Sequence, residues 1–269
     1  MAEPVLRLSG ASLGFGARTL WSGLDLEVQP GEFVAVLGAN GSGKTSLLRV
    51  ILGLQPLTTG RVEVAGRAAR RGSPAIGYVP QQRRADPLTP LRARDFVGQA
   101  LDGHRLGPGW PSRRRNRLVA DALAAVGAAD YADAPIGVLS GGEQQRIRIA
   151  QSLVSGPALL LCDEPLLSLD LASQRTVTGL VDRVRRERET AVLFVTHEIN
   201  PVLPYVDRVL YLAGGRFRIG AVDDVLNSET LSALFDAPID VVRVGGRIVV
   251  AGIPDTPEHP HHEHAEATP

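Results

Sequence analysis

Apolar positions change their spacing several times along the chain, and each change marks an element. Residues 5–8 and 24–28 alternate apolar and polar positions on either side of a glycine-containing bend, which predicts two antiparallel strands with one buried face. Residues 33–37, Phe-Val-Ala-Val-Leu, are continuously apolar, as in a strand covered on both faces, and a helix over 45–54 follows a glycine-rich turn. Strand-like segments come next at 61–64 and 76–79. From Gln81 to about Arg117 the composition turns rich in Arg, Pro and Gly, and helical spacing then returns over 118–126 and after Ser140, where Ile147, Ala150, Leu153 and Val154 share one face. Strands at 158–162 and 191–196 enclose a helix with Val177, Leu180, Val181 and Val184 at helical spacing, and strand, helix, strand implies a parallel sheet. Gly214-Gly215 and Gly245-Gly246 sit between short apolar stretches, predicting hairpins over 209–219 and 241–251. Beyond residue 252 almost no apolar residue remains, so burial cannot offset the entropy of ordering, and residues 253–269 are expected to be a disordered tail.

These elements read as an α/β chain whose core takes residues 1–81 and 156–220. A helical subdomain is inserted at 82–155, and a helix and hairpin extend the core at 221–252. With 269 residues, 44% of them hydrophobic, one sizeable core is within reach. The 29 basic and 29 acidic residues balance, so charge advertises no nucleic-acid partner. The single cysteine, Cys162, lies in an apolar run and fits a reducing compartment. No run approaches the roughly 20 apolar residues that cross a bilayer, and the start lacks a secretory pattern, so any membrane role is expected to pass through a separate chain.

Chemistry gathers at the predicted strand ends. Gly38, Ala39, Asn40, Gly41, Ser42, Gly43, Lys44 and Thr45 match G-x-x-x-x-G-K-[ST] between a buried strand and a helix, the context this motif requires. Backbone N–H groups of such a loop turn inward around phosphate oxygens at the positive end of the helix. Lys44 adds a mobile charge, and Thr45 offers a hydroxyl to magnesium. An ordinary glycine-rich turn gives no reason for the Gly-Lys-Thr sequence. Asp163 and Glu164 follow an apolar strand: Asp163 suits magnesium, and Glu164 suits a general base toward water, although acidic residues also end strands without further purpose. His197 ends the next strand in the same way. Ser140 and Glu143 satisfy a capping box, which leaves the intervening Gly141 and Gly142 unexplained unless an anion approaches the backbone there.

In this order, over residues 5 to 220, the motifs resemble the ABC ATPase family. The resemblance implies a P-loop NTPase (RecA-like) core with an antiparallel β subdomain and a helical subdomain specific to the family. It also implies ATP hydrolysis with Mg2+. Ser140, Gly141, Gly142 and Glu143 are then the segment facing the nucleotide of a second copy, in a head-to-tail dimer. By the same resemblance Gln81 senses magnesium and the γ-phosphate, and His197 contacts that phosphate. Phe15, where tyrosine is commoner, stacks on adenine. Ser46 joins the phosphate-loop set, and Ser168, Leu169 and Asp170 form the loop that signals between copies. A lone cassette resembles importers, with separate transmembrane permease subunits, an extracytoplasmic solute-binding protein, and a place on the cytoplasmic face of the cell membrane. The segments around Ile76-Gly77-Tyr78-Val79-Pro80-Gln81 and Glu164–Asp170 most resemble zinc and manganese uptake cassettes.

The tail adds His259, His261, His262 and His264 beside Glu258 and Glu263, a set of zinc-type ligands or a solvated low-complexity end. The basic run from Arg113 to Arg117 reads as a solvated helix start or a contact with a partner or lipid head groups. A cassette exporting or carrying another cargo and a non-transport assembly ATPase, for instance for iron–sulfur clusters, stay open as alternatives. A regulator that binds nucleotide without hydrolysing it is disfavoured by the set of Glu164, Gln81 and His197.

Overall fold

The computed structural model describes residues 3–16, 18–81, 86, 89–102 and 112–252. Its centre is a sheet of six strands. In chain order these are β3 (Phe33–Gly38), β6 (Ile76–Val79), β7 (Leu159–Asp163), β8 (Ala191–Val195), β9 (Arg208–Ala213) and β10 (Arg216–Gly220); in space they run β10-β9-β3-β8-β7-β6. All neighbours are parallel except β10, which turns back along β9. Side chains alternate across this sheet. Phe33, Ala35, Leu160, Cys162, Val192 and Phe194 pack into a core on one face; Val34, Val36, Leu159, Leu161, Leu193 and Val195 pack into a second core on the other. Two-sided burial is why these strands read as unbroken apolar runs.

The second core is covered by α1 (Lys44–Ile51) and by an antiparallel sheet of order β2-β1-β4-β5, formed by β1 (Leu6–Phe15), β2 (Arg18–Val28), β4 (Thr59–Val64) and β5 (Arg67–Ala68). Here the structure departs from the sequence expectation. Instead of short strands at 5–8 and 24–28 with a long bend between them, β1 and β2 form one continuous hairpin that turns at Phe15–Arg18. Glycines suggested breaks in the pattern. They instead accompany register shifts between Leu8 and Ala11 and around Leu13, with Gly10 and Gly23 at φ of 54° and 66°, so the strands bend without ending.

The first core is covered by helices. Between β6 and β7 the chain forms α2 (Ala93–Asp102), α3 (Arg113–Ala125) and α4 (Gly141–Leu153), so α3 begins within the basic run, capped by the Ser112 hydroxyl, which accepts from Arg115 N–H. The side chains of Ile147, Ala150, Leu153 and Val154 are buried. α5 (Leu171–Arg188) follows β7 and buries Val177, Leu180, Val181 and Val184 against the sheet. Its Arg185, only 8% exposed, donates to Asp182, to the Gly31 and Tyr205 carbonyls and to Asp207, tying the end of the helix to the beginnings of β3 and β9. After β10 the chain adds α6 (Val222–Val225), α7 (Ser228–Phe235) and a hairpin of β11 (Asp240–Val244) and β12 (Arg247–Ala251). Leu226, Leu231, Leu234 and Ile248 bury this extension against the first core. Among the described residues no helix is long and apolar enough to cross a membrane. His259, His261, His262 and His264 lie outside the described residues.

Candidate nucleotide site

The carboxyl ends of β3, β7 and β8 lie side by side, because β3 pairs with β8 in the register Val36–Val195 and β8 pairs with β7 in the register Val195–Asp163. This brings the segment after Gly38, the Asp163–Glu164 pair and His197 to one edge. There a cavity of about 960 Å3 is lined by Phe15, Arg18, Leu20, Gly38, Ala39, Asn40, Gly41, Gly43, Lys44, Thr45, Ser46, Gln81, Glu164, Leu167 and His197. That volume is at the upper end of small-molecule sites.

The loop from Gly38 to Gly43 is wound in a way that requires glycine. Gly38 has φ 145°, and a Cβ there would lie 2.2 Å from the Leu212 carbonyl oxygen. Gly43, at φ 99°, packs against the Trp21 ring, so the antiparallel sheet braces the start of α1 from outside. Lys44 is buried, and its Nζ donates to the carbonyls of Gly38 (2.6 Å) and Ala39 (3.0 Å). Burial pushes its pKa down, against the raising influence of Glu164 and then Asp163. These neutral carbonyl oxygens do not cancel its positive charge, which faces an anion in the cavity.

Asp163 is 3% exposed and accepts from Thr45 Oγ1 and Tyr78 OH, each at 3.3 Å. Burial raises its pKa above the ordinary carboxylate value, while the Tyr78 and Thr45 hydrogen bonds oppose the rise; Tyr78 in turn is pushed up to about 12, mainly by burial and then by the Asp163 charge. Thr45 on the cavity wall and Asp163 behind it, joined by their hydrogen bond, place oxygen donors beside the Lys44 charge, a donor set that suits magnesium with a polyphosphate. A folded-state pKa above the unfolded one means that the ionised carboxylate weakens the fold at pH values above the raised pKa, a cost relieved as pH falls through it. Asp163→Asn is therefore expected to raise the melting temperature of the ligand-free chain near neutral pH, with the gain shrinking in acid; thermal melts across pH check this.

Glu164 leaves the strand in the left-handed region, φ 46°, its N–H held by the Val195 carbonyl at 3.0 Å. A non-glycine residue there costs about 1–3 kcal/mol, and the conformation turns the carboxylate away from Asp163 into the cavity. One Glu164 oxygen accepts from Gln81 Nε2 at 3.2 Å, and the other lies 3.6 Å from His197 Nδ1. A carboxylate, an amide and an imidazole from three different segments thus converge. Phe15 is 58% exposed at the mouth of the cavity, next to the β1–β2 turn.

Ser140, Gly141, Gly142 and Glu143 do not line this cavity. The capping box is present: Ser140 Oγ accepts from Glu143 N–H at 3.3 Å, and the Glu143 carboxylate accepts from Ser140 N–H at 2.8 Å. Gly142 has a packing reason that sequence did not reveal, since a Cβ there would come within 2.9 Å of Ser173 Oγ. Two polar residues without a role from sequence also matter, one on the cavity wall and one behind it. Arg18 donates to the Gly41 carbonyl at 3.0 Å and adds a second cation to the wall; Tyr78 braces Asp163. Among the described residues no cluster of three or more His, Cys, Asp or Glu could hold a metal.

The sequence pattern of the ABC transporter family matches residues 21–167. The zinc import ATP-binding protein ZnuC of Halorhodospira halophila is 34% identical over 268 residues, 99% of this chain and 92% of that one. The protein of the same name from Pseudomonas fluorescens is 35% identical over 212 residues, 79% and 75% of the two chains. Among solved structures, an inward-facing metal-chelate type ABC transporter aligns at a TM-score of 0.77 with 28% identity, covering 92% of this chain and 96% of that one. An ATP-binding cassette solved in its ADP conformation aligns at 0.73 with 20% identity, covering 87% and 95%, and shows the same fold. With the phosphate loop, the acidic strand end and the capped Ser-Gly-Gly-Glu segment in one sequence and one fold, this chain belongs to the ABC transporter family as an ATP-hydrolysing cassette.

Proposed function

We propose that the cassette powers zinc import. The observation that carries this reading is similarity along nearly the whole chain to a protein named for zinc import, rather than over the shared core alone. In this reading two copies join head to tail, dock on separate transmembrane permease subunits at the cytoplasmic face of the membrane, and receive cargo through an extracytoplasmic solute-binding protein. Residues 82–155 are the helical arm that brings Ser140, Gly141, Gly142 and Glu143 to the nucleotide held by the other copy.

Within one site, Phe15 stacks on adenine, while the N–H groups of the Gly38–Ser46 segment and the charge of Lys44 hold the phosphates. Thr45, Asp163 and Gln81 would hold Mg2+, which would supply charge neutralisation for the phosphates. Glu164 accepts a proton from water as the water oxygen bonds to the γ-phosphorus and the bond to the bridging oxygen breaks, leaving ADP and inorganic phosphate. Gln81 orients Glu164, a role supported by their 3.2 Å hydrogen bond. His197 donates to the γ-phosphate, supported by its place beside Glu164 on the cavity wall. Positioning and fixed charge carry most of such catalysis.

The test is the elemental content of source cells grown with a chelator. Cells lacking this chain are expected to lose zinc selectively, and to regain it with the native chain but not with Glu164→Gln. Unchanged zinc in the deleted strain would sink the cargo assignment and leave the ATPase intact.

A further inference from the structure

The loop that carries His197 is fastened to the C-terminal hairpin. Three residues beyond His197, the Asn200 carboxamide donates from Nδ2 to the Ile248 carbonyl at 2.9 Å, and its Oδ1 accepts from Ile248 N–H at 2.8 Å. A side-chain amide that exchanges both bonds with one residue of β12 imitates a rung of a third strand on that edge. Only one orientation of the amide satisfies both bonds. An isolated two-stranded hairpin is marginally stable, so the β11–β12 pair needs anchors. On its other side it has them: Val241 N–H donates to Ser228 Oγ at 2.8 Å, Ile239 N–H donates to Ser232 Oγ at 2.9 Å, and Arg243 pairs with Asp223. Ile248 itself is 3% exposed in the first core.

The His197 loop, by contrast, has space around it. The His197 side chain is 53% exposed, and His197 borders the nucleotide cavity, a small cavity shared with Gln174 and Pro201, and a third of about 310 Å3 shared with Tyr211, Leu226, Ile248 and Val250. A half-exposed imidazole beside open space takes its place from the backbone that bears it. That backbone is fixed before the histidine by Thr196, whose N–H donates to the Val36 carbonyl at 3.1 Å and whose hydroxyl bridges to Glu198, and after it by the buried Ile199 and Val202 and by the Asn200–Ile248 pair.

We propose that Asn200 is a positioning residue for hydrolysis: through Ile248, the C-terminal hairpin holds the loop so that His197 faces the γ-phosphate. This rests on the phosphate-contacting role given to His197 above. The hairpin thereby becomes part of the catalytic apparatus, although it lies outside the segments that bind nucleotide.

The test uses the full chain in single-turnover and steady-state ATPase assays, comparing the native protein with three variants: Asn200→Ala, His197→Ala and the double variant. Asn200→Ala is expected to lower kcat about 10- to 100-fold, as displacement of a catalytic group by about 1 Å does, with the KM for ATP held within about twofold. In the His197→Ala background the same change is expected to cost nothing further, since the residue acts through the imidazole. A merely structural role would instead slow both backgrounds by one factor, and that result overturns the proposal. If His197→Ala is slow while Asn200→Ala turns over like the native chain, the positioning role falls and the histidine reading survives. If His197→Ala keeps native turnover, the histidine reading falls and takes this inference with it.

Discussion

Glu164→Gln is expected to bind ATP as tightly as the native chain does and to lose about 10²- to 10⁴-fold in turnover, the span attributable to one general base. The amide has the shape of the carboxylate, and its oxygen still accepts from Gln81 Nε2, so the hydrogen bond that orients residue 164 survives. Only the ability to take a proton is lost. Lys44 and the glycine loop, which hold the phosphates in this reading, are untouched, so equilibrium nucleotide affinity and single-turnover hydrolysis separate the two effects. Turnover within tenfold of native would assign the base role elsewhere, and His197, 3.6 Å from the same carboxylate, would be the next group to test.

Gly38→Ala is expected to act on the fold before it acts on the chemistry. The added methyl group would meet the Leu212 carbonyl oxygen at 2.2 Å and Ser42 Oγ at 2.7 Å, and φ 145° is strained for any L side chain. The carbonyl belongs to β9, whose parallel pairing with β3 places Leu212 opposite Gly38, so relief requires parting the two strands at their ends. Strain and overpacking together come to about 3 kcal/mol or more, or roughly 6–12 °C in melting temperature for a domain of this size. Thermal melts with and without ATP measure it. A variant that melts within 2 °C of native and binds ATP normally would show that the strand ends yield easily.

Where the candidate site residues lie was more legible in the sequence than the shape. Glycine-rich loops and acidic strand ends are local signals: Gly38–Thr45 and Asp163–Glu164 need only their own neighbours to be read, and parallel register then brings them together. His197 required a guess about which strands are neighbours, and β3-β8-β7 is the order that makes the guess good. The long β1–β2 hairpin was illegible because glycine serves equally as a turn and as a bulge, and single-sequence spacing does not separate the two. Arg18, Tyr78 and Asn200 were illegible for another reason. Each matters through a partner distant in sequence, namely Gly41, Asp163 and Ile248, and no motif encodes such a pairing.

The anchorage of α5 has a mechanical consequence. Its 18 residues make a rod of about 27 Å. Arg185, near one end, is locked to Gly31, Tyr205 and Asp207, whereas Asp170, which caps the other end, belongs to the turn that follows Glu164. Between these ends Val177, Leu180, Val181 and Val184 lie on the sheet, so the rod is held from Val177 to Arg185 and only its first turns stand clear of the core. Any yielding of the helix would therefore fall in the short stretch between Asp170 and Val177, next to the turn that follows Glu164, while the Arg185 end stays still.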